Sequence, residues 1–224
     1  MIVAAVPVKD LSEAKQRIAP FLTAAERRLL MQAMLEDVLS CLLASPVDSV
    51  LAITGDPDVI EIARRFKAQV LVEPVNSGHT AAVELAQRYA TSKGAKGFLT
   101  IPGDVPLTTP YEIAKMIHGA PPAPSVSFVP SRSGLGTNGV LLLPPDLIKL
   151  KFGEPSFLNH LDAARIHRLE PRVLTLPGLG LDIDTADDLQ IVLTRRGHTR
   201  TETLLSQIGL AARMGALSSL VAER

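Results

Sequence analysis

With 224 residues, 46% of them hydrophobic, the chain can bury one sizeable core and falls in the size range of a single α/β domain. Its 23 basic and 23 acidic residues cancel, so the overall charge recommends neither nucleic acid nor an anionic membrane as partner, and any attraction for a charged substrate must be local to a site. The lone cysteine, Cys41, excludes an intrachain disulfide and a cysteine-based metal site, and with neither a signal-peptide pattern nor a membrane-length apolar run the expectation is a cytoplasmic protein.

In chain order, Ile2–Val6 reads as a strand, and Thr23 as the cap of a long helix through Ser45 with apolar positions at Leu29, Leu30, Ala33, Met34, Val38 and Leu42. Cys41 falls in that helix and reads as a small core residue. Val50–Ile53 is a strand ended by Gly55-Asp56-Pro57, Val59–Phe66 a helix, Val70–Val72 a strand, and Gly78–Ala90 a helix closed by Lys93-Gly94. The apolar run Gly97–Ile101 reads as a buried strand, a helix starts near Pro110, and strands follow at Ser125–Val129 and Val140–Leu143. Pro155 suits the first turn of a helix running to about His167, with a strand at Val173–Leu176 and a short helix at Thr185–Leu193. This βαβ rhythm predicts an α/β domain with a mixed, mostly parallel sheet flanked by helices, whose ligands bind beyond the carboxyl ends of the strands. The closer spacing of the later strands predicts an antiparallel edge. Beyond a polar break at Arg195-Arg196-Gly197-His198, the amphipathic stretch Glu202–Val221 is interrupted at Gly209 and Gly215. The chain therefore divides into a domain, 1–195, and a helical extension, 196–224, packed on the domain or on the second subunit of a homodimer.

Three aspartates carry the strongest chemical signal. Asp104 follows the Gly97–Ile101 strand, and Asp182 and Asp184 lie in the extended segment Leu181-Asp182-Ile183-Asp184-Thr185, where side chains two apart share a face. Exposed acids at strand ends, aimed at one crevice, suit a divalent cation and a polyphosphate, and oxygen ligands favour a hard ion such as Mg²⁺. The loop after the first strand lacks the glycine fingerprint of dinucleotide or P-loop sites and instead carries Lys9, Lys15 and Arg17. Alone these would read as a solvated basic loop; beside the aspartates they read as cations for a triphosphate, Lys as point charge and Arg as fork.

Other loops offer donors. Asn76-Ser77-Gly78-His79-Thr80 opens a helix with small residues: Gly78 allows close approach to a flat ligand, and Ser77 equally reads as a plain N-cap. Gly134-Leu135-Gly136-Thr137-Asn138-Gly139 suits a backbone wrapping an oxyanion, with Thr137 as donor. Gly153 and Ser156 stand at the next helix start, where the dipole favours an anion, although a first-turn serine also serves local backbone. His160 shares an apolar helical face with Phe157, Leu161 and Ala164 and reads as a packed core residue; His79 is the one histidine in a plausible pocket loop. Asp187 and Asp188, after Thr185, read as cap and dipole complement outside the site.

Taken in order, Pro7-Val8-Lys9, Ala14-Lys15-Gln16-Arg17, Gly103-Asp104-Val105-Pro106-Leu107, Gly136-Thr137-Asn138, the run Phe152-Gly153-Glu154-Pro155-Ser156-Phe157-Leu158-Asn159-His160 and Asp182-Ile183-Asp184-Thr185 span about residues 1–190. Together they resemble the 2-phospho-L-lactate guanylyltransferases of coenzyme F420 biosynthesis and their relatives that use phosphoenolpyruvate or 3-phospho-D-glycerate. The resemblance implies a nucleotide-diphospho-sugar transferase-like fold, with Asp104, Asp182 and Asp184 holding Mg²⁺ as two ions. It implies a phosphorylated three-carbon acid on Thr137, Gly153 and Ser156. It implies GTP along Pro7, Lys9, Lys15, Arg17, Gly78, Thr80 and Gly103, with Lys9, Lys15 and Asp104 carrying catalysis. The chain departs from the family's usual pattern at His79-Thr80, where relatives tend to carry Leu-Asn, at Ala186, where proline is common, and at Gly139, where alanine is usual and where the glycine is expected to loosen the acceptor pocket.

The reading is then nucleotidyl transfer from GTP to the acid with loss of pyrophosphate. Two rivals stand beside it. Asp182-Ile183-Asp184 matches the metal-binding motif of a nucleotide-sugar-dependent glycosyltransferase, and a non-catalytic GTP-binding regulator could share the fold.

Overall fold

A computed structural model describes residues 1–9, 11, 15–73, 77–195 and 197–215 of the chain. Asp10, Ser12, Glu13 and Ala14 of the first loop, Asn76, Arg196 and residues 216–224 of the expected extension lie outside the described residues.

Seven strands form one sheet: β1 Ile2–Pro7, β2 Ser49–Thr54, β3 Gln69–Val72, β4 Gly97–Thr100, β5 Ser125–Pro130, β6 Thr137–Leu143 and β7 Arg172–Val173. Their spatial order is β3-β2-β1-β4-β6-β5-β7, with β1, β2, β3 and β4 mutually parallel and β6 antiparallel to both its neighbours. The expected antiparallel edge is thus an antiparallel interior strand. The connection from β5 to β6 is a short hairpin, which forces reversal, and β7 then adds parallel to β5 outside it. At two residues β7 is also shorter than the expected Val173–Leu176.

Among the described residues, helices α1 Ala24–Leu43, α2 Pro57–Arg65, α3 His79–Ser92, α4 Pro110–His118 and α5 Ser156–Ile166 flank the sheet, and α6 Ala186–Thr194 and α7 Arg200–Gln207 pack outside α1. The central strand β1 is apolar throughout because both its faces are covered. Ala4 and Val6 join a core with Leu35, Val38 and Leu39 of α1, Val59 and Ile62 of α2 and Ile113 of α4. Val3 and Ala5 face the other way, onto Ala82, Val83 and Ala86 of α3 and Ala164 of α5. A third cluster joins the outer side of α1, through Leu30 and Met34, to Leu189 and Val192 of α6 and Leu205 of α7. Of the expected α1 core positions, Leu29 is instead 49% exposed. Buried Asp37 takes its place in importance: its carboxylate accepts from Arg200 N and Thr201 N, both at 2.9 Å, and docks the start of α7. Cys41 is buried in the core, and burial pushes its thiol up to about 12, so it is chemically quiet. No described helix is long and apolar enough to cross a membrane.

Beyond the carboxyl ends of β1 and β4 the polypeptide turns into loops on both sides of the point between these two strands where the strand order reverses. That crevice collects the residues singled out above.

Candidate active site

The loop after β4 carries Asp104, and the segment 181–184 is docked against it by a backbone bond from Ile183 N to Asp104 O of 3.1 Å. Leu181 and Ile183 are buried in the third core cluster, which turns Asp182 and Asp184 outward as the alternation requires. Lys15 enters between the two segments from a left-handed backbone conformation, φ 61° and ψ 43°, immediately before a 3₁₀ turn at Gln16–Ile18. A non-glycine residue held there costs on the order of 1 kcal/mol, so its placement is imposed by what its side chain reaches. Its Nζ donates to Asp104 Oδ2 at 2.6 Å and to Asp184 Oδ1 at 2.5 Å, so these two oxygens stand within about 5 Å of each other. Burial alone would lower the lysine's pKa; the charges and hydrogen bonds of Asp104 and Asp184 outweigh it and raise the pKa, which keeps the ammonium charged.

One ammonium against three carboxylates leaves the cluster negative. Asp182 accepts from Asn138 Nδ2 at 3.0 Å. Its pKa is raised, first by burial and further by repulsion from Asp104 and Asp184, with the Asn138 hydrogen bond opposing. Asp104 Oδ1 is buried and has no hydrogen-bond partner among the described residues. An orphaned, buried carboxylate oxygen in a cluster with two further acids is the observation that suits a hard cation. As they stand, no three His, Cys, Asp or Glu groups among the described residues close on a single point, so the expected trio is not a ready-made cage. Asp104 and Asp184 meet at Lys15, while Asp182 is turned to Asn138. That still fits Mg²⁺, which usually takes one or two carboxylates and completes its shell with water and phosphate. Lys15, expected against the nucleotide phosphates, is here given to the carboxylates.

The oxyanion side is built where β6 starts and α5 begins. Thr137 Oγ1 lies 2.9 Å from His160 Nδ1, Ser156 Oγ donates to Thr137 Oγ1 at 3.4 Å, and Lys151 N donates to His160 Nε2 at 3.0 Å. Gly153, at φ 101°, occupies a conformation that L side chains rarely adopt, and a β-carbon there would meet nothing within 4 Å, so the backbone beside it is open. Helix α5 starts without a side-chain cap. His160 is fully buried, stacked on Phe128 at 5.6 Å and edge-on to Phe152 at 4.9 Å. Burial first, and neighbouring His79 second, lower its pKa to about 4, so the ring is neutral at ordinary pH. Gly139 does not loosen this pocket. A β-carbon there would meet Leu179 at 2.9 Å and Val129 at 3.1 Å, on the opposite core face, so the glycine admits packing and leaves the pocket unchanged.

The expected nucleotide residues line the other half. Pro7 closes β1 and is buried, Lys9 is exposed at the mouth, and Gly103 is a packing glycine whose β-carbon would meet Val8 at 3.3 Å. Gly78, at φ 94°, is the N-cap of α3 in place of Ser77, and as a glycine it supplies no side-chain cap to the helix. Thr80 departs from expectation: its Oγ1 accepts from Phe152 N at 3.0 Å, which commits the hydroxyl to the protein. His79 packs on the same Phe152 at 4.4 Å between ring centroids. Arg17 lines a cavity of about 270 Å³ with Arg132, Ser133, Glu154, Asp182 and Asp184. Asn138, Phe152 and Arg132 were not singled out from sequence. Asn138 and Phe152 do sit inside two of the six segments that carry the resemblance, which is the available signal.

With this geometry in place, the likeness to known proteins is specific. A sequence profile of the family described as "Guanylyl transferase CofC like" matches residues 2–222. The phosphoenolpyruvate guanylyltransferase of Conexibacter woesei is 37% identical over 207 residues, covering 88% of this chain and 92% of that one. The 2-phospho-L-lactate guanylyltransferase of Methanobrevibacter smithii is 32% identical over 203 residues, covering 91% and 88%. Among solved structures, a Desulfovibrio desulfuricans G20 protein provisionally described as a nucleotide-diphospho-sugar transferase superposes with a TM-score of 0.75 at 16% identity, over 93% of this chain and 96% of that one. At that identity the likeness speaks for the fold alone, and the fold is of the nucleotide-diphospho-sugar transferase type.

Proposed function

This chain belongs to the CofC-like guanylyl transferase family and is a nucleotidyltransferase, and from that premise we propose that it joins GMP from GTP to a small phosphorylated three-carbon acid in the cytoplasm, as a step of coenzyme F420 biosynthesis. The relatives' names point to phosphoenolpyruvate or 2-phospho-L-lactate as the acid, with 3-phospho-D-glycerate a third of the same chemistry. The single observation that carries the reading is the meeting of Asp104 and Asp184 at one cation, with Asp104 Oδ1 left unsatisfied beside them.

In the proposed reaction an oxygen of the acceptor's phosphate attacks the α-phosphorus of GTP, the bond from that phosphorus to the β-phosphate bridge breaks, and pyrophosphate leaves. The new bond is a diphosphate, and no general base is required because a phosphate monoester is already ionised near neutral pH. The difficulty is repulsion between anions. Asp104 and Asp184 would hold Mg²⁺ directly, with Asp182 adding charge beside them; when bound, the ion supplies Lewis-acid polarisation and charge neutralisation at the phosphates. Lys15, held between Asp104 and Asp184, would supply positive charge for the triphosphate, with Lys9 and Arg17 adding to it at the mouth. The start of α3 at Gly78 lies on the nucleotide side, where its dipole favours a phosphate, and Thr137, Ser156 and the open backbone at Gly153 hold the acid. Relatives named as guanylyltransferases favour this over sugar transfer or GTP sensing.

The test is a pyrophosphate-release screen of four nucleoside triphosphates against the three acids, with products identified by mass. GTP with at least one acid should give stoichiometric pyrophosphate and a GMP-linked diphosphate. Pyrophosphate from no combination, or sugar transfer from a nucleotide sugar, would sink the reading.

A further inference from the structure

His160 is a buried, neutral, hydrogen-bonded ring to which the reaction above gives no part, although it sits directly behind Thr137. The network around it fixes its tautomer. Lys151 contributes a backbone N–H, which can only donate, so His160 Nε2 must be the bare nitrogen. The neutral ring then carries its proton on Nδ1, and Nδ1 donates to Thr137 Oγ1 at 2.9 Å. Ser156 Oγ points to the same oxygen at 3.4 Å. With its oxygen thus accepting, the Thr137 hydroxyl has its own proton left to give, and a hydroxyl that accepts a hydrogen bond is a stronger donor. Because burial lowers the ring's pKa to about 4, this arrangement holds across neutral pH.

We propose that His160 is a positioning residue: Nδ1–H sets the Thr137 hydroxyl as a hydrogen-bond donor to the acceptor's anionic group, while Nε2 anchors the segment at Lys151 that leads into Gly153. The inference rests on the reading that Thr137 holds the acceptor. It differs from simple core packing in a way that two near-isosteric variants separate. In His160→Asn the amide NH₂ stands where Nδ1 was and can still donate to Thr137, but the Lys151 acceptor is lost. In His160→Gln the amide oxygen can replace Nε2 for Lys151, but the 2.9 Å donor to Thr137 is lost and only the longer 3.4 Å bond from Ser156 remains.

Pyrophosphate release is measured with phosphoenolpyruvate and 2-phospho-L-lactate and with GTP varied separately, alongside thermal melts. His160→Gln should raise the acceptor KM about tenfold, the size of one lost hydrogen bond, with the GTP KM within about twofold. His160→Asn should keep the acceptor KM within about threefold, and adding Gln to Thr137→Val should change nothing further. Equal effects of Asn and Gln, or parallel rises in both KM values with a lower melting temperature, would reduce the ring to core packing and overturn the inference. An unchanged acceptor KM in Thr137→Val would instead remove the acceptor reading itself, whereas a raised one with a silent His160→Gln would overturn this inference alone. Nitrogen-15 NMR of the unmutated protein gives a check independent of folding and turnover: the Nδ1–H tautomer is expected, and finding the proton on Nε2 overturns the inference.

Discussion

Asp184 and Asp188 are four residues apart and have opposite fates. Asp188 Oδ2 accepts from Asp184 N at 3.1 Å, Thr185 N at 2.8 Å and Thr185 Oγ1 at 2.7 Å, and its other oxygen meets Arg132 at 3.2 Å. The same reciprocal capping recurs at Thr23 with Glu26, Thr109 with Glu112 and Thr199 with Glu202. Across the crevice, Asp184 has Lys15, Asp182 has Asn138, and Asp104 has one oxygen paired and one bare. A carboxylate offers about four acceptor positions. Where backbone amides fill them the acid builds a helix start; where they stay open the acid is reserved for something the chain does not itself supply. The pKa directions agree: the backbone of Thr23 lowers that of Glu26, whereas burial raises that of Asp182. Helices α3 and α5, which border the crevice, are likewise those without a side-chain cap or a capping box.

The largest effect should come from the open set. Asp104→Asn or Asp184→Asn is expected to cut pyrophosphate release by about 10³-fold, in line with losing a transition-state charge partner. Either single variant should melt close to the unmutated protein, because the remaining carboxylate still neutralises Lys15. Changing both together should cost several kcal/mol in a urea titration, since a buried ammonium would be left without a partner. If either single variant turned over normally, the division between building and reserved carboxylates would break.

Acid should sharpen the contrast. Saturated capping carboxylates such as Glu26 resist protonation, so the first acid weakness belongs to the two buried histidines, His79, whose pKa burial likewise lowers to about 4, and His160. The folded pKa of His160, about 4, lies below the ordinary 6.5, so between those values the unfolded chain binds more protons than the native one. Its contribution is therefore intact above about pH 6.5 and is lost as pH falls toward 4, amounting to about 2 kcal/mol by pH 5. Urea midpoints measured from pH 7 to pH 5 should fall, and His160→Gln should flatten that slope whatever its absolute stability. A slope unchanged by the variant would place the acid weakness elsewhere.

Much of this could be read from residue order, because burial writes itself as periodicity. The strands β1, β2 and β4, the long helix from Thr23 and the outward turn of Asp182 and Asp184 all follow from which neighbours are apolar. Strand direction is not written that way: close spacing of the later strands predicts an antiparallel edge, whereas the antiparallel strand, β6, lies inside the sheet. Leu29 misled because α1 is covered both by the sheet and by α6 and α7, which leaves only a narrow exposed strip, and that strip includes a leucine. Lys15 and Thr80 were legible as site residues, but not in their partners: whether a lysine meets a phosphate or an aspartate depends on a left-handed backbone that no local pattern announces.

Asp188→Ala gives the smallest effect and the sharpest division of roles. The change strips the acceptor from the amides of Asp184 and Thr185 and from the Thr185 hydroxyl, and it releases Arg132. Loss of a helix cap costs about 1–2 kcal/mol, and a urea midpoint with unchanged slope should report it. Because Asp184 N is one of the bonds lost, the carboxylate of Asp184 loses some of its anchoring, so turnover should fall by less than about tenfold through misplacement. That is far from the loss expected for Asp184→Asn. Should Asp188→Ala abolish turnover while leaving stability untouched, Asp188 would have to be counted with the open carboxylates, and the capping box would be a part of the active site.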